Sequence, residues 1–560
     1  MEENMLYGEY DRYLAPLDVW AIAFGCAVGW GAFMMPGTAF LPVAGPLGTA
    51  IAMLVSTLII LIIGANFFFL MRQYPGTGGV YAYTKAAFGR DHAFLCAWFL
   101  SMSYLTVLFM NATSLFTVIR VVFGRSLQIG YYYYNIGGNV IFMGEVGASI
   151  IALAAVGLLF INAKPLLQQA QSVLAVMLLL GVLFVSGMCL PRLRLEGVQN
   201  LFGSQVGNKA FGVASIVALA PWAFVGFEVI SLETVHYEFK VQRSRWILLA
   251  SIVLTGLVYI LLTFVAVSAV PSGYDSWQAY IADLDHLDGL FSVPTFYAAR
   301  AIMGDGGTFI IAMSALFAIL TGMIGAYRAT TRVLSTMAED RILSRRFSET
   351  TYSILFIMLI SIVISLFGRN LLQCFMDLTS LGAIIGFGYT SAAAYKLARK
   401  AGNRKYVVLG AAGCVIACIF GVVQLIPKLT ALETMSTDAF LVLSVWCLLG
   451  FLFYLRTVAR SGAAAYIGAS TSSVVLFALL LYSALMWLGR RLMAAQTVQA
   501  VRSTLQYEGS LMLLVIFISL VVMMYIQTLV RKKHEELRMH DASPAPDALP
   551  ENDAQGGPDA

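Results

Sequence analysis

The sequence predicts an all-α polytopic membrane protein of about fourteen spans, and three observations predict it. The 560 residues are 59% hydrophobic and only 12% charged, a balance foreign to soluble globular domains. The apolar residues fall in runs long enough to cross a bilayer, and too continuous for a barrel, whose strands alternate. Two of these runs, the first and the sixth, carry glycine or proline where a helix cannot continue, at Gly25–Gly37 and Pro221–Glu228. Interruptions at matching positions of two halves point to a binding site between them. Residues 17–400 therefore read as two five-span halves in inverted repeat, and 401–530 as about four additional C-terminal helices. Residues 1–16 and 531–560 are cytoplasmic tails.

Taken in order, residues 1–16 are polar, tyrosine-rich and acidic, unlike a cleavable signal peptide. The first span, Leu17 to about Phe40, has the middle Gly25-Cys26-Ala27-Val28-Gly29-Trp30-Gly31-Ala32 and then Pro36-Gly37. Each glycine costs a helix roughly 1 kcal/mol against alanine. In lipid the freed backbone groups must find partners, so this span faces a protein-lined cavity. Further spans start near residues 43, 92, 140, 167, 211, 245, 306, 351, 371, 405, 437, 464 and 508. The sixth contains Pro221-Trp222-Ala223-Phe224-Val225-Gly226-Phe227-Glu228, adding a carboxylate inside an apolar run. Basic clusters at Lys240/Arg243/Arg245, Arg341/Arg345/Arg346, Lys396–Lys405 and Arg531–Lys533 put both termini inside. The longest external loop, Pro271–Asp305, carries Asp275, Asp283, Asp285 and Asp288, and Ser292–Met303 reads as a short helix over the entrance. From Arg531 the composition cannot bury a core and reads as disordered.

Several chemistries are excluded. The seven cysteines lie in or beside apolar spans, without a CxxC pair or metal-ligand spacing to histidine, and read as small buried hydrophobes. No metal or cofactor is expected. The net charge of +5 sits in short loops rather than on a soluble domain, so no nucleic-acid partner is expected. A primary pump would need GxxxxGK[ST], which is missing. The alternatives left open are a polytopic membrane enzyme and a flippase for a lipid-linked substrate; an enzyme would need converging ligands or bases, and these residues are scattered.

Four motifs bear a family likeness. They are Val28-Gly29-Trp30-Gly31-Ala32-Phe33-Met34-Met35-Pro36, Arg72-Gln73-Tyr74-Pro75-Gly76-Thr77-Gly78-Gly79-Val80-Tyr81-Ala82-Tyr83, Trp222–Glu228, and Ala329-Thr330-Thr331-Arg332 through Asp340. In order and spacing, over about residues 15–400, they resemble the amino acid–polyamine–organocation superfamily of permeases. The sixth-span motif is most similar to the amino acid/polyamine antiporter branch. The resemblance implies a LeuT-type five-plus-five fold and secondary active transport of amino acids or related amines across the cytoplasmic membrane, by exchange or proton coupling. It also implies a small-molecule substrate and makes a homodimer a candidate assembly.

The chemistry follows from the breaks. The helix restarting after the first break offers unpaired amides near Gly29, Trp30 and Gly31, and the positive end of its dipole, to a substrate carboxylate. The resemblance assigns the backbone carbonyls of Ala27, Trp222 and Val225 to the substrate ammonium, with Gly226 completing the substrate set at the second break. Trp222 and Phe224 are candidate aromatic walls, and Tyr104 matches a substrate-contacting position by the same resemblance. Glu228 is the candidate coupling group, a buried carboxylate able to exchange a proton. Glu233, His236 and Glu238 are expected at a cytoplasmic gate or in a cytoplasmic loop. Two departures stand out. Trp30 replaces the family's small serine between two glycines, which favours small ligands or ones without an α-carboxylate if the ring enters the cavity. The fifth span, Leu167–Leu190, lacks the lysine some proton-coupled members carry; Lys164 precedes it.

Overall fold

The computed structural model describes residues 12–541, apart from residues 77, 125–127, 133–140, 194–200, 204–205, 433, 462–470 and 496. Within them the regular structure is helical, save for a short antiparallel pairing of β1 (Tyr131–Tyr132) with β2 (Ile141–Phe142) and an isolated bridge between Leu14 and Tyr237.

The first span is discontinuous. It comprises α1 (Pro16–Ala27), α2 (Gly31–Met35) and a π turn (Pro36–Phe40) that leads into α3 (Leu41–Gln73), itself divided at Gly45-Pro46. Pro16 opens α1, where its missing N–H costs nothing. Pro36 lacks the N–H that would continue the ladder, and the π turn begins there. Next come α4 (Gly79–Phe88), α5 (Arg90–Phe123), α6 (Met143–Asn162) and α7 (Lys164–Cys189). The sixth span is also in pieces: α8 (Lys209–Val217), α9 (Ala220–Phe224) and a 3-10 turn (Phe227–Leu232). After it run α10 (Ser244–Ala266), α11 (Trp277–Ala282), α12 (Pro294–Glu339), α13 (Thr350–Ser365) and α14 (Leu372–Lys400). The remainder is α15 (Arg404–Leu425), α16 (Thr437–Ser461), α17 (Thr471–Ala494), α18 (Val498–Ser503) and α19 (Ser510–Asp541).

Ten helical runs among the described residues are long and apolar enough to cross a membrane, fewer than the expected fourteen. The shortfall has physical causes. The first and sixth spans are broken into short pieces, α13 has only 16 residues, and α14 is not apolar enough to count among the ten. In the tail, α19 continues to Asp541, so 531–541 is helical where disorder was expected. Residues 542–560 and the start expected near 464 lie outside the described residues.

α5 forms the centre of the bundle, its most apolar stretch wholly buried, packed by α12 and α14. α7 packs on α12, α10 on α3, and both α7 and α12 reach α1. The additional helices attach from one side. α15 lies along α14, and Trp98 of α5 stacks on Trp446 of α16 at 4.6 Å while its Nε1 donates to the Trp446 carbonyl at 3.2 Å. Asp91 of α5 accepts from the Tyr454 hydroxyl at 2.7 Å, tying the same pair together.

The two ends of the bundle are closed differently. At one, the backbone amides of Tyr13 and Leu14 both donate to the His236 carbonyl at 3.0 Å, and the Glu238 amide donates to the Leu14 carbonyl at 3.1 Å. There, too, the Thr234 hydroxyl bridges the amide and carbonyl of Gly76 in the glycine-rich loop before α4. At the other, the arm of α12 before its bend at Gly304 lies on the restarted first span: Thr295 Oγ1 donates to the Phe33 carbonyl at 2.8 Å. In the loop preceding that arm, Tyr274 donates to Asp283 at 2.5 Å, a hydrogen bond that holds the phenol above its ordinary pKa.

Candidate substrate site

The two breaks meet in the middle of the bundle. α1 closes at Ala27, Val28 is extended (φ −92°, ψ 94°), and the Val28 amide still donates to the Phe24 carbonyl. The ladder resumes when Ala32 donates to Gly29 at 3.3 Å and Phe33 to Trp30 at 3.0 Å. The amides of Gly29, Trp30 and Gly31 thus begin a new helix and have no acceptor within its ladder. On the sixth span, α9 closes at Phe224, Val225 is extended, and Gly226 takes φ 116°. Gly226 is required twice over. That φ is one L side chains rarely adopt, and a Cβ there would lie 2.7 Å from the Cys26 carbonyl carbon. A comparable closeness holds at Gly31, whose Cβ would lie 2.3 Å from Trp222 Cη2. The Trp222 ring therefore crosses the start of the restarted helix, edge-on to Trp30 with ring centres 6.4 Å apart.

Between the breaks lies a cavity of about 30 Å³, room for roughly two water molecules. The space is small, and a ligand larger than a few waters needs the surrounding side chains to move. Ala27, Gly29, Trp30, Gly31, Trp222 and Val225 line it, six of the residues expected there. Trp30 itself is thus among the lining residues, with its ring edge-on to Trp222.

Four expected site residues lie outside that lining. Phe224 is fully buried, and its ring packs near Gly256 of α10 instead of walling the cavity. Gly226 carries the contact between the breaks. Tyr104 is turned to Glu228, and its hydroxyl donates to Glu228 Oε1 at 3.0 Å. The other oxygen, Oε2, accepts from the Gly226 amide at 2.9 Å. Glu228 is fully buried, so it holds the unwound backbone from behind.

Five lining residues were not anticipated: Cys26, Val107, Met110, Asn111 and Tyr259. Of these only Asn111 left a trace in the sequence, as an amide inside the apolar run Leu105–Ala112.

Two flanking features complete the site. Glu233, just past the 3-10 turn, is buried and receives Arg332 of α12 in a two-pronged ion pair at 3.0 and 3.1 Å, with Arg328 at 3.9 Å. Arg332 also donates to His236 Nε2 at 3.0 Å. The fifth span reaches the first through a neutral amide: Gln171 Nε2 donates to the Ala21 carbonyl at 3.1 Å. Lys164 sits at the start of α7, its Nζ 5.8 Å from the centre of the Tyr13 ring.

The amino acid permease family model matches residues 14–453. The chain belongs to the amino acid permease family. The family match takes in both breaks and α1 through α15, and ends within α16, so α17 to α19 lie beyond it. Among curated proteins, the chain is 22% identical over 409 residues to cationic amino acid transporter 4 of Mus musculus, across 70% of this chain and 60% of that protein. It is 22% identical over 388 residues to the vacuolar cationic amino acid transporter 4 of Arabidopsis thaliana, across 67% and 60%. It is also 22% identical over 348 residues to the methylthioribose transporter of Bacillus subtilis, across 60% and 69%. The chain thus spans 60% of the length of the two cationic amino acid transporters.

Proposed function

We propose that this chain is a secondary active transporter for amino acids, cationic ones foremost, working by alternating access as an exchanger or proton-coupled permease. One observation carries the reading. Two helices break and meet, Gly226 against Cys26, and residues of both breaks line one small cavity. Irregular backbone at membrane depth is tolerated where it lines such a cavity, and half-helix ends are the means by which transporters hold zwitterions. In this reading the carboxylate rests on the amides of Gly29, Trp30 and Gly31, and the ammonium on the carbonyls of Ala27, Trp222 and Val225. Trp30 and Trp222 close over the ligand, and the Glu233–Arg332 pair locks the opposite exit. Glu228 is the coupling group, acting through Gly226 and Tyr104. The names of the two mammalian and plant relatives support the cationic substrate.

The finer architecture belongs to the same proposal: fourteen spans, the first ten as two inverted five-span halves, both termini cytoplasmic, in the cell membrane. A second reading, an amine or other ligand without an α-carboxylate, is favoured by the presence of Trp30 among the lining residues, beside the amides. Counterflow in proteoliposomes tests both. Labelled L-lysine should accumulate faster into vesicles preloaded with L-lysine than into empty ones, and putrescine should compete poorly. Strong competition by putrescine with none by L-lysine selects the second reading; no exchange with any amino acid or amine refutes the proposal.

A further inference from the structure

We propose that the additional C-terminal helices carry a binding site for the phosphate headgroup of an anionic phospholipid, and that lipid bound there steadies α8. The site is a cavity of about 550 Å³ between the 426–436 loop, which joins α15 to α16, and the end of α17. That is the size of a small-ligand pocket, and it lies apart from the cavity between the breaks. Both charged side chains among its described lining residues, Lys428 and Arg490, are basic. Arg490 is held in place: its Nη1 donates to the Met435 carbonyl at 2.6 Å, and its guanidinium carbon lies 5.1 Å from the centre of the Phe440 ring. Thr437 also lines the cavity, and the side chains of Lys428 and Thr437 make no hydrogen bond or ion pair among the described residues. Asp438, beside Thr437, is not in the lining, and Arg491 pairs with Glu508 at 2.8 Å.

Charge and apolar surface together choose the occupant. A phosphate accepts from the Lys428 ammonium and the Thr437 hydroxyl in charge-assisted hydrogen bonds, while Leu432, Met486 and Met493 supply an apolar wall. α17 continues that wall outward, with Leu485 55% and Met493 80% exposed; on a spanning helix such side chains meet acyl chains. A free phosphate has nothing to lay on them. The cavity also sits where spans end, the depth at which lysine and arginine reach lipid headgroups. The loop above it is tied on two sides. The Ser436 amide donates to Asp377 Oδ2 of α14 at 2.7 Å, and the Ala431 amide donates to Oγ of the buried Ser215 on α8 at 2.8 Å. Near these ties Lys428 takes φ 63°, a conformation that a residue with a side chain rarely adopts unless its surroundings impose it. A phosphate held by Lys428 and Thr437 braces this loop against α17, and the Ala431–Ser215 bond carries the brace to α8, which leads into α9 and Trp222 of the substrate cavity.

Native mass spectrometry of the delipidated full chain in detergent, titrated with phosphatidylglycerol or with phosphatidylcholine of the same acyl chains, tests the site. The first phosphatidylglycerol should bind about tenfold tighter than phosphatidylcholine, the scale of one hydrogen bond to a charged group. Lys428→Gln/Thr437→Val should bring the two lipids to parity; if that protein is not monodisperse, Lys428→Gln alone replaces it with the same expectation. Hydrogen exchange read on peptides covering 209–217 tests the second part. Phosphatidylglycerol should slow exchange there in the wild type and not in the variant. Neither readout depends on what the chain transports. Equal binding of the two lipids by the wild type overturns the site, as does a preference that survives in the variant. Displacement of phosphatidylglycerol by an equal concentration of glycerol 3-phosphate or inorganic phosphate overturns lipid as the occupant. Exchange in 209–217 that ignores bound phosphatidylglycerol overturns the brace on α8.

Discussion

Gly226→Ala is the sharpest perturbation of the site, because its consequence can be worked from the backbone alone. Gly226 has φ 116°, and its added Cβ would lie 2.7 Å from the Cys26 carbonyl carbon, 2.9 Å from the Ala27 nitrogen and 2.9 Å from the Cys26 oxygen. All three neighbours are main-chain atoms at the end of α1, held by the ladder behind them, so none can rotate away. Strain at such a φ costs roughly 1–3 kcal/mol, and overpacking a rigid site about another 1–3 kcal/mol. The expected result is a loss of about 3 kcal/mol, seen as a lower melting temperature in detergent, together with loss of uptake as the breaks are pushed apart. Gly31→Ala is the matched control. Its Cβ would meet Trp222 Cη2 at 2.3 Å, an atom at the far end of a side chain that can turn. That variant should lose less stability than Gly226→Ala, since a side chain and not the main chain must give way, yet alter uptake, because Trp222 lines the cavity. A Gly226→Ala protein with wild-type melting temperature and uptake would refute the meeting of the breaks as described.

Two further outcomes follow from the groups around the cavity. Glu228→Gln keeps an oxygen for the Gly226 amide but removes the exchangeable proton, so the pH dependence of uptake in proteoliposomes should flatten; an unchanged profile would take Glu228 out of coupling. Glu233→Gln leaves Arg332 and Arg328 facing a neutral group. Breaking a buried pair costs roughly 3–5 kcal/mol, and about 1.4 kcal/mol of it spent on the closed state would raise the open population tenfold. Cys26, which lines the cavity, should then react with a small methanethiosulfonate about tenfold faster, in a background keeping it as the sole cysteine. Equal labelling rates would show that the pair is not a lock.

What the sequence made legible, and what it hid, both trace to how a helix signals its surroundings. Glycine and proline act through the backbone, so the breaks at Gly25–Gly37 and Pro221–Glu228 could be read without knowing any neighbour. The cavity residues on those breaks followed directly: Ala27, Gly29, Trp30, Gly31, Trp222 and Val225 all line it. The opposite wall did not follow, because Val107, Met110 and Asn111 lie on α5, whose most apolar stretch is buried all round. A helix apolar on every side has no stripe to give its rotation, so nothing in its spacing says which residues face a ligand. Tyr259 on α10 was hidden because its face depends on packing against α3 and α1. The direction of Glu228 was invisible for a different reason. It is decided by the left-handed turn at Gly226, which swings the carboxylate back onto the Gly226 amide and towards Tyr104. A carboxylate thus tied to the hinge between two half-helices senses the cavity only through the backbone that forms it. If Glu228 exchanges a proton, as proposed, it would do so by loosening these hydrogen bonds to Gly226 and Tyr104, and so through the shape of the break.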